Sequence, residues 1–159
     1  MDMTWVTDRI AVGGGIWYED NMRELVQQEG VTHIINMQIE FDDRPLAEGY
    51  PVIVLHNPTD DDFQLKPPEL FRPAVEFALG AFDTPGTKVY IHCAAGVHRA
   101  PMMTLALMRA LGWPLEEAKA HIQQRRYVVD WADVYVQSVE QFMRAFQSTR
   151  PAEPKPRSR

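Results

Sequence analysis

The stretch Lys88-Val89-Tyr90-Ile91-His92-Cys93-Ala94-Ala95-Gly96-Val97-His98-Arg99-Ala100-Pro101 decides how this chain folds. Val89, Tyr90 and Ile91 are β-branched or aromatic and form a short apolar run, the pattern of a buried core strand. Pro101 suits the first position of a helix, where its missing N–H leaves no bond unmade. Gly96 is free to take a positive φ, so the loop from Cys93 to Arg99 turns back on itself. Strand, tight loop and helix start gather backbone N–H groups and aligned peptide dipoles around one point. Such a point attracts anions.

Two side chains make the anion site reactive. A helix N-terminus and a neighbouring guanidinium both favour the ionised thiol of Cys93, which is its nucleophilic form. Arg99 presents a planar fork suited to two oxygens of a phosphate-like group. A thiolate aimed at phosphorus inside a cradle of donors meets the needs of phosphoryl transfer, which are positioning and charge neutralisation. The plainer reading makes Cys93 a small apolar residue at a strand end.

His92-Cys93, five residues and then Arg99 resemble the signature of the cysteine-dependent protein tyrosine phosphatase superfamily. The surroundings resemble its dual-specificity branch. The preceding His, the Gly third in the loop, the strand before and the helix after carry the likeness, which extends over residues 5 to 147. It implies a phosphocysteine intermediate on Cys93. Arg99 and the amides of Ala94, Ala95, Gly96, Val97 and His98 would hold the phosphoryl oxygens. No metal or cofactor is implied, and His92 would sit buried behind the loop. The family carries its general acid on a loop before a helix with an aromatic pair. Glu69-Leu70-Phe71 and Phe77 resemble that helix, which places the acid at Asp61 among Asp60-Asp61-Asp62. Read without the resemblance, those three acids are a solvated turn.

The chain departs from the family in two loop positions. Most relatives carry Ser or Thr after the arginine, and that hydroxyl stabilises the departing sulfur in the second step. Here the residue is Ala100, followed by Pro101, as in the phosphatases of regenerating liver. Slow breakdown of the phosphocysteine is the expectation. His98 stands where many relatives have Gly or Ser; it either adds a pH-dependent charge to the pocket or caps the loop from outside. Ala94, Ala95 and Val97 carry no charge, which disfavours a phosphoinositide substrate. No phosphotyrosine-clamping loop precedes the core, so a shallow cleft open to phosphotyrosine and to phosphoserine or phosphothreonine is expected.

Composition sets the limits. The chain has 159 residues, enough for one domain with a sizeable core. Its net charge of −6 argues against general binding to nucleic acid or membrane surfaces. No apolar run is long enough for membrane insertion, and no secretory leader is visible at Met1-Asp2-Met3-Thr4-Trp5. One cysteine excludes an internal disulfide and points to a reducing, cytoplasmic compartment. The five histidines show no zinc-ligand spacing.

In chain order, Trp5-Val6-Thr7 and Ile10-Ala11-Val12 predict a hairpin around Asp8-Arg9, and Gly13-Gly14-Gly15 a loop. Asp20 to Glu29 predicts a helix capped by Asp20, with Met22, Leu25 and Val26 on its apolar face and Gly30 as its stop. Val31 to Met37 follows as a strand, with His33 structural. Glu40 to Glu48, acidic and holding Pro45, reads as surface loop. Val52 to Leu55 reads as a buried strand. Helices follow over Pro68–Phe82, with Pro73 starting or kinking it, over Ala100–Leu111 and over Pro114–Arg126. Arg125 and Arg126 either compensate that last helix's dipole or draw in an anionic substrate. Val134, Val139, Phe142, Met143 and Phe146 line a final helix.

Strands alternating with helices predict an α/β domain over residues 1–149 with a largely parallel sheet, the active loop lying at the carboxyl end of the central strand. Residues 150–159, with three prolines and four basic residues, read as a disordered tail. The expected partner is a phosphorylated protein or a small phosphoester. The rival class is a low-turnover pseudophosphatase or phosphate-binding adaptor. A low-molecular-weight phosphatase or arsenate reductase would carry its Cys loop at the chain start, and a rhodanese loop is one residue shorter.

Overall fold

The computed structural model of the chain describes residues 1–148. The expected tail over 150–159 lies outside them. Five strands form one sheet: β1 (Met3–Trp5), β2 (Ile10–Gly13), β3 (His33–Gln38), β4 (Ile53–Thr59) and β5 (Val89–His92). Their order across the sheet is β1-β2-β5-β3-β4. Only β1 runs antiparallel; β2, β5, β3 and β4 are parallel. The quoted strand is therefore the middle one. Every loop leaving a parallel strand's carboxyl end opens on the same side, which is where the site forms.

Side chains alternate across β5, and each face of the sheet is covered. Val89 and Ile91 join Val12 and Ile35 against α2 (Pro68–Phe82), α3 (Arg99–Ala110), α4 (Leu115–Arg125) and α5 (Asp133–Ser148). Phe71 of α2 stacks on Phe142 of α5, ring centroids 5.4 Å apart. Tyr90 points the other way, with Ala11 and Ile34, onto Met22 and Leu25 of a short helix α1 (Glu19–Arg23) and its π-helical continuation through Gln28. Each fully buried side chain of this size contributes about 1.5–3 kcal/mol, so α3, buried at all of its first ten residues, is fixed from every side.

Several boundaries differ from the sequence reading. The first helix is capped at Tyr18, not Asp20, because Asn21 Oδ1 accepts the Trp17 and Tyr18 amides at 3.2 Å. Helix α3 begins at Arg99, so Pro101 is its third residue; its N–H is still one of those a helix start leaves unpaired. Pro73 does not start helix α2 but lies inside it, in the second turn. Strand β4 is an edge strand with Ile53 exposed, not a strand buried on both faces. Residues 40–48 are not all surface: they hold a 3-10 turn at Arg44–Ala47, and Asp43 is fully buried.

Candidate active site

The loop after β5 is shaped by where its carbonyls go. Ala94 O accepts the Gly15 amide at 3.0 Å, and Val97 O accepts the Asp130 amide at 3.1 Å. Arg126, almost fully buried, takes the two carbonyls between: Nε donates to Gly96 O at 2.9 Å and Nη2 to Ala95 O at 3.0 Å. Asp2 and Thr4 hold the rest of that guanidinium. With these four carbonyls turned outward, the planar peptide bonds turn the amides of residues 95–98 the other way, and the amides of residues 94–99 meet no partner among the described residues. Gly96 makes the turn at φ +68°, and a Cβ there would lie 2.6 Å from Arg126 Nη2 and from the Gly13 carbonyl carbon.

Cys93 lies at the floor of this loop, buried, with the Ala100 amide donating to its Sγ at 3.4 Å. The donor belongs to the first turn of α3, so the helix N-terminus points at the sulfur. Behind the loop, His92 and Asp43 are both fully buried and bonded Nε2 to Oδ2 at 2.7 Å. Asn36 reaches the other oxygen of Asp43 at 3.1 Å.

Arg99 is nearly buried and its donors are divided. Nη1 gives to Glu40 Oε1 at 2.8 Å and to Thr59 O at 2.9 Å; Nη2 gives to Glu40 Oε2 at 2.7 Å. A guanidinium has five N–H groups, so one edge remains: Nε and one hydrogen of Nη2. Nε is buried with no partner among the described residues. The Arg99 guanidinium beside Glu40 lowers that carboxyl's pKa to about 2, and Glu40 in turn raises the pKa of Arg99.

Of the three successive aspartates, Asp61 is turned inward. Its Oδ1 accepts the Tyr135 hydroxyl at 2.9 Å and its Oδ2 lies 3.0 Å from His98 Nδ1. Asp62 is paired with Lys66 at 2.7 Å, which lowers its pKa, and Asp60 bonds the Asp61 amide. Burial, helped by the bond to Asp61, raises the Tyr135 phenol to about 12, so it stays a donor. Phe63 holds a positive φ of 55°, its amide given to Tyr135 Oη at 3.1 Å and its ring stacked on that of Tyr135.

Cys93, the loop, Arg99, His98 and Asp61 thus come together. Of the two roles the sequence reading allowed Arg125 and Arg126, Arg125 keeps the dipole-compensating place in the last turn of α4, and neither faces the site. Arg126 is spent on the loop carbonyls and cannot meet a substrate. Arg125 lines a cavity of about 490 Å³ with Trp5, Lys88 and His121 at the opposite, amino end of the parallel strands. Glu40, Asp43, Tyr135 and Asp130 were not singled out by sequence as parts of the site, and Arg126 was, though not as the residue that holds the loop carbonyls. The available signal for the first two was topological: they follow the carboxyl end of β3, the neighbour of β5.

A parallel sheet whose middle strand delivers a cysteine into an arginine-closed amide cradle defines the cysteine-dependent phosphatase class. Comparison with known proteins gives the family. The family described as "Dual specificity phosphatase, catalytic domain" matches residues 17–145, and the chain belongs to it. The chain is similar to protein phosphatase Slingshot homolog 3 of Mus musculus, 33% identical over 117 residues, 73% of this chain and 17% of that protein. Dual specificity protein phosphatase 1 of Homo sapiens is 28% identical over 119 residues, 72% of this chain and 30% of the relative. The chain thus aligns with under a third of either relative's length. Among solved structures, PTPMT1 superposes with a TM-score of 0.79 at 23% identity, over 92% of this chain and 96% of that one. The human tyrosine phosphatase-like serine/threonine/tyrosine-interacting protein superposes with a TM-score of 0.74 at 21% identity, over 92% and 98%. These two share the fold.

Proposed function

We propose that this chain hydrolyses phosphotyrosine, and phosphoserine or phosphothreonine, through a phosphocysteine intermediate. The observation that carries the reading is the hydrogen bond from the Ala100 amide to Cys93 Sγ, at the floor of a loop whose carbonyls from Ala94 to Val97 are taken up on its outer side. Cys93 attacks phosphorus. The loop amides and the free Nε/Nη2 edge of Arg99 take the phosphoryl oxygens, while Glu40 and Thr59 hold the guanidinium's other edge. Asp61 protonates the leaving oxygen, then draws a proton from the water that releases phosphate. A positioned acid of this kind is worth about 10²–10⁴ in rate.

PTPMT1 has been solved in complex with PI(5)P. In this chain the loop side chains Ala94, Ala95 and Val97 carry no cationic group for an inositol ring, which favours a phosphoprotein substrate over that lipid class. A second reading, a phosphate-binding adaptor with weak turnover, is favoured by one feature only: Ala100 offers the sulfur an amide and no hydroxyl.

Hydrolysis of an aryl phosphate by the native, Cys93→Ser and Asp61→Asn proteins tests the proposal, followed by a panel of phosphopeptides, phosphoinositides and phosphoglucans. Activity is expected to vanish with Cys93→Ser and to fall by about 10² or more with Asp61→Asn. Undiminished hydrolysis by the serine variant overturns it. Binding of phosphopeptide without turnover by the native chain supports the adaptor.

A further inference from the structure

Asp61, His98 and Asp130 are linked through one imidazole ring. His98 Nδ1 lies 3.0 Å from Asp61 Oδ2, and His98 Nε2 lies 3.0 Å from Asp130 Oδ2. Phe63 packs edge-on against the ring at 4.9 Å, and Tyr135 donates to the other oxygen of Asp61. The remaining charged groups nearby make their bonds elsewhere, though the charge of Arg99 still acts on Asp61. Arg99 faces Glu40 and Thr59, Asp62 is taken by Lys66, and Cys93 Sγ faces the Ala100 amide.

Counting protons narrows what this cluster holds. Each nitrogen–oxygen contact needs one proton, ionised carboxylates supply none, and a neutral imidazole supplies one. Making both contacts therefore takes two protons. One arrangement is an imidazolium between two carboxylates. Another is a neutral ring whose Nε2–H gives to Asp130 while Nδ1 accepts from protonated Asp61. The two differ by one proton moved across a 3.0 Å contact, and the second is the form a general acid must have.

Given Asp61 as the proton donor of the reaction proposed above, we propose that His98 is a positioning residue that stores the donor's proton, with Asp130 fixing the ring. In the transfer step the Cys93 sulfur–phosphorus bond forms as the bond from phosphorus to the leaving oxygen breaks. That oxygen takes the Asp61 proton. In the second step Asp61 regains a proton from water as the hydroxide oxygen bonds phosphorus and the thiolate departs. His98 holds a proton one hydrogen bond away from the Asp61 oxygen that must carry it.

The test is the pH profile of kcat/KM for two substrates. Phenyl phosphate needs its leaving oxygen protonated; p-nitrophenyl phosphate, with a far more acidic phenol, needs it little. With His98→Asn the alkaline limb for phenyl phosphate is expected to move down by about one pH unit or more. The rate at pH 7.5 should drop roughly tenfold, against less than about threefold for p-nitrophenyl phosphate. Asp130→Asn should move the limb the same way by less. An unmoved limb, or equal losses on both substrates, overturns the proposal. Cys93→Ser separates the two readings. If it still hydrolyses both esters, the phosphatase reading fails; if activity needs Cys93 but the limb stays put, only the role of His98 fails. Should His98→Asn not fold, ring-nitrogen NMR shifts of His98 in the Cys93→Ser protein decide. Their titration must change when Asp61 becomes Asn, and no change overturns the proposal.

Discussion

Glu40 grips Arg99 through both carboxylate oxygens, at 2.8 and 2.7 Å, across 59 residues of sequence. The contact fixes which edge of the guanidinium is left for a ligand. A catalytic group displaced by about 1 Å can cost 10²-fold. Glu40→Gln is accordingly expected to lower kcat/KM for an aryl phosphate by roughly 10–10², with no loss of fold at neutral pH.

The same pair sets a pH window for stability. The folded Glu40 carboxyl titrates at about 2 against an ordinary 4.5. A depressed pKa stabilises the fold above the unfolded value, and the gain is lost as pH falls through the folded one. The melting temperatures of native and Glu40→Gln proteins should therefore differ most above the ordinary carboxyl range and converge as pH falls toward about 2. Thermal melts across that range check it. A constant gap would show that the ionised carboxylate contributes nothing.

Gly96→Ala should disable the loop. Its φ of +68° disfavours any Cβ by about 1–2 kcal/mol, and the added carbon meets the Gly13 backbone, which cannot swing aside. The expected results are a lowered melting temperature and loss of phosphate-protected melting. Retained phosphate protection would mean that the amides do not form the oxyanion cradle.

Asp43 and His92 are bonded with no solvent access. Removing one partner leaves a buried polar group unpaired, at about 1–3 kcal/mol. Asp43→Ala should lower the denaturant midpoint accordingly and reduce activity through the displaced loop. An unchanged midpoint would contradict the bond.

The Sγ atom of Cys93 has a backbone donor from Ala100 and no hydroxyl beside it. Ala100→Ser is expected to raise steady-state turnover and shrink the pre-steady-state burst, since the departing sulfur gains a second donor. Stopped-flow traces with a chromogenic ester measure both. No gain in the steady state removes the claim that loss of this hydroxyl limits the native chain.

Much of this architecture was legible in the sequence because it is local. Val89 to Pro101 carries strand, turn and helix start within thirteen residues, and Pro68–Phe82 declares its helix by apolar spacing alone. The parts that stayed hidden are those whose partners lie far along the chain. Asp43 sits in an acidic stretch with a proline, the composition of a solvated loop, yet its bond is to His92, 49 residues on. Arg126 looked like a surface charge at a helix end because nothing local says that the Ala95 and Gly96 carbonyls await it. The apolar run Val52 to Leu55 suggested burial on both faces; only strand order shows β4 at the edge. Asp61 was placed only by the likeness of the helix after it to the family's. His98 stood out as an unusual loop residue, but its two carboxylate partners come from elements 37 and 32 residues away.

The most direct measurement is a rapid acid quench of the native protein with an aryl phosphate, followed by peptide mass analysis. The account predicts one added phosphoryl group on the peptide containing Cys93, appearing within the burst, absent from Cys93→Ser and accumulating because Ala100 slows its release. Steady hydrolysis with no such adduct, or an adduct on another residue, would contradict it.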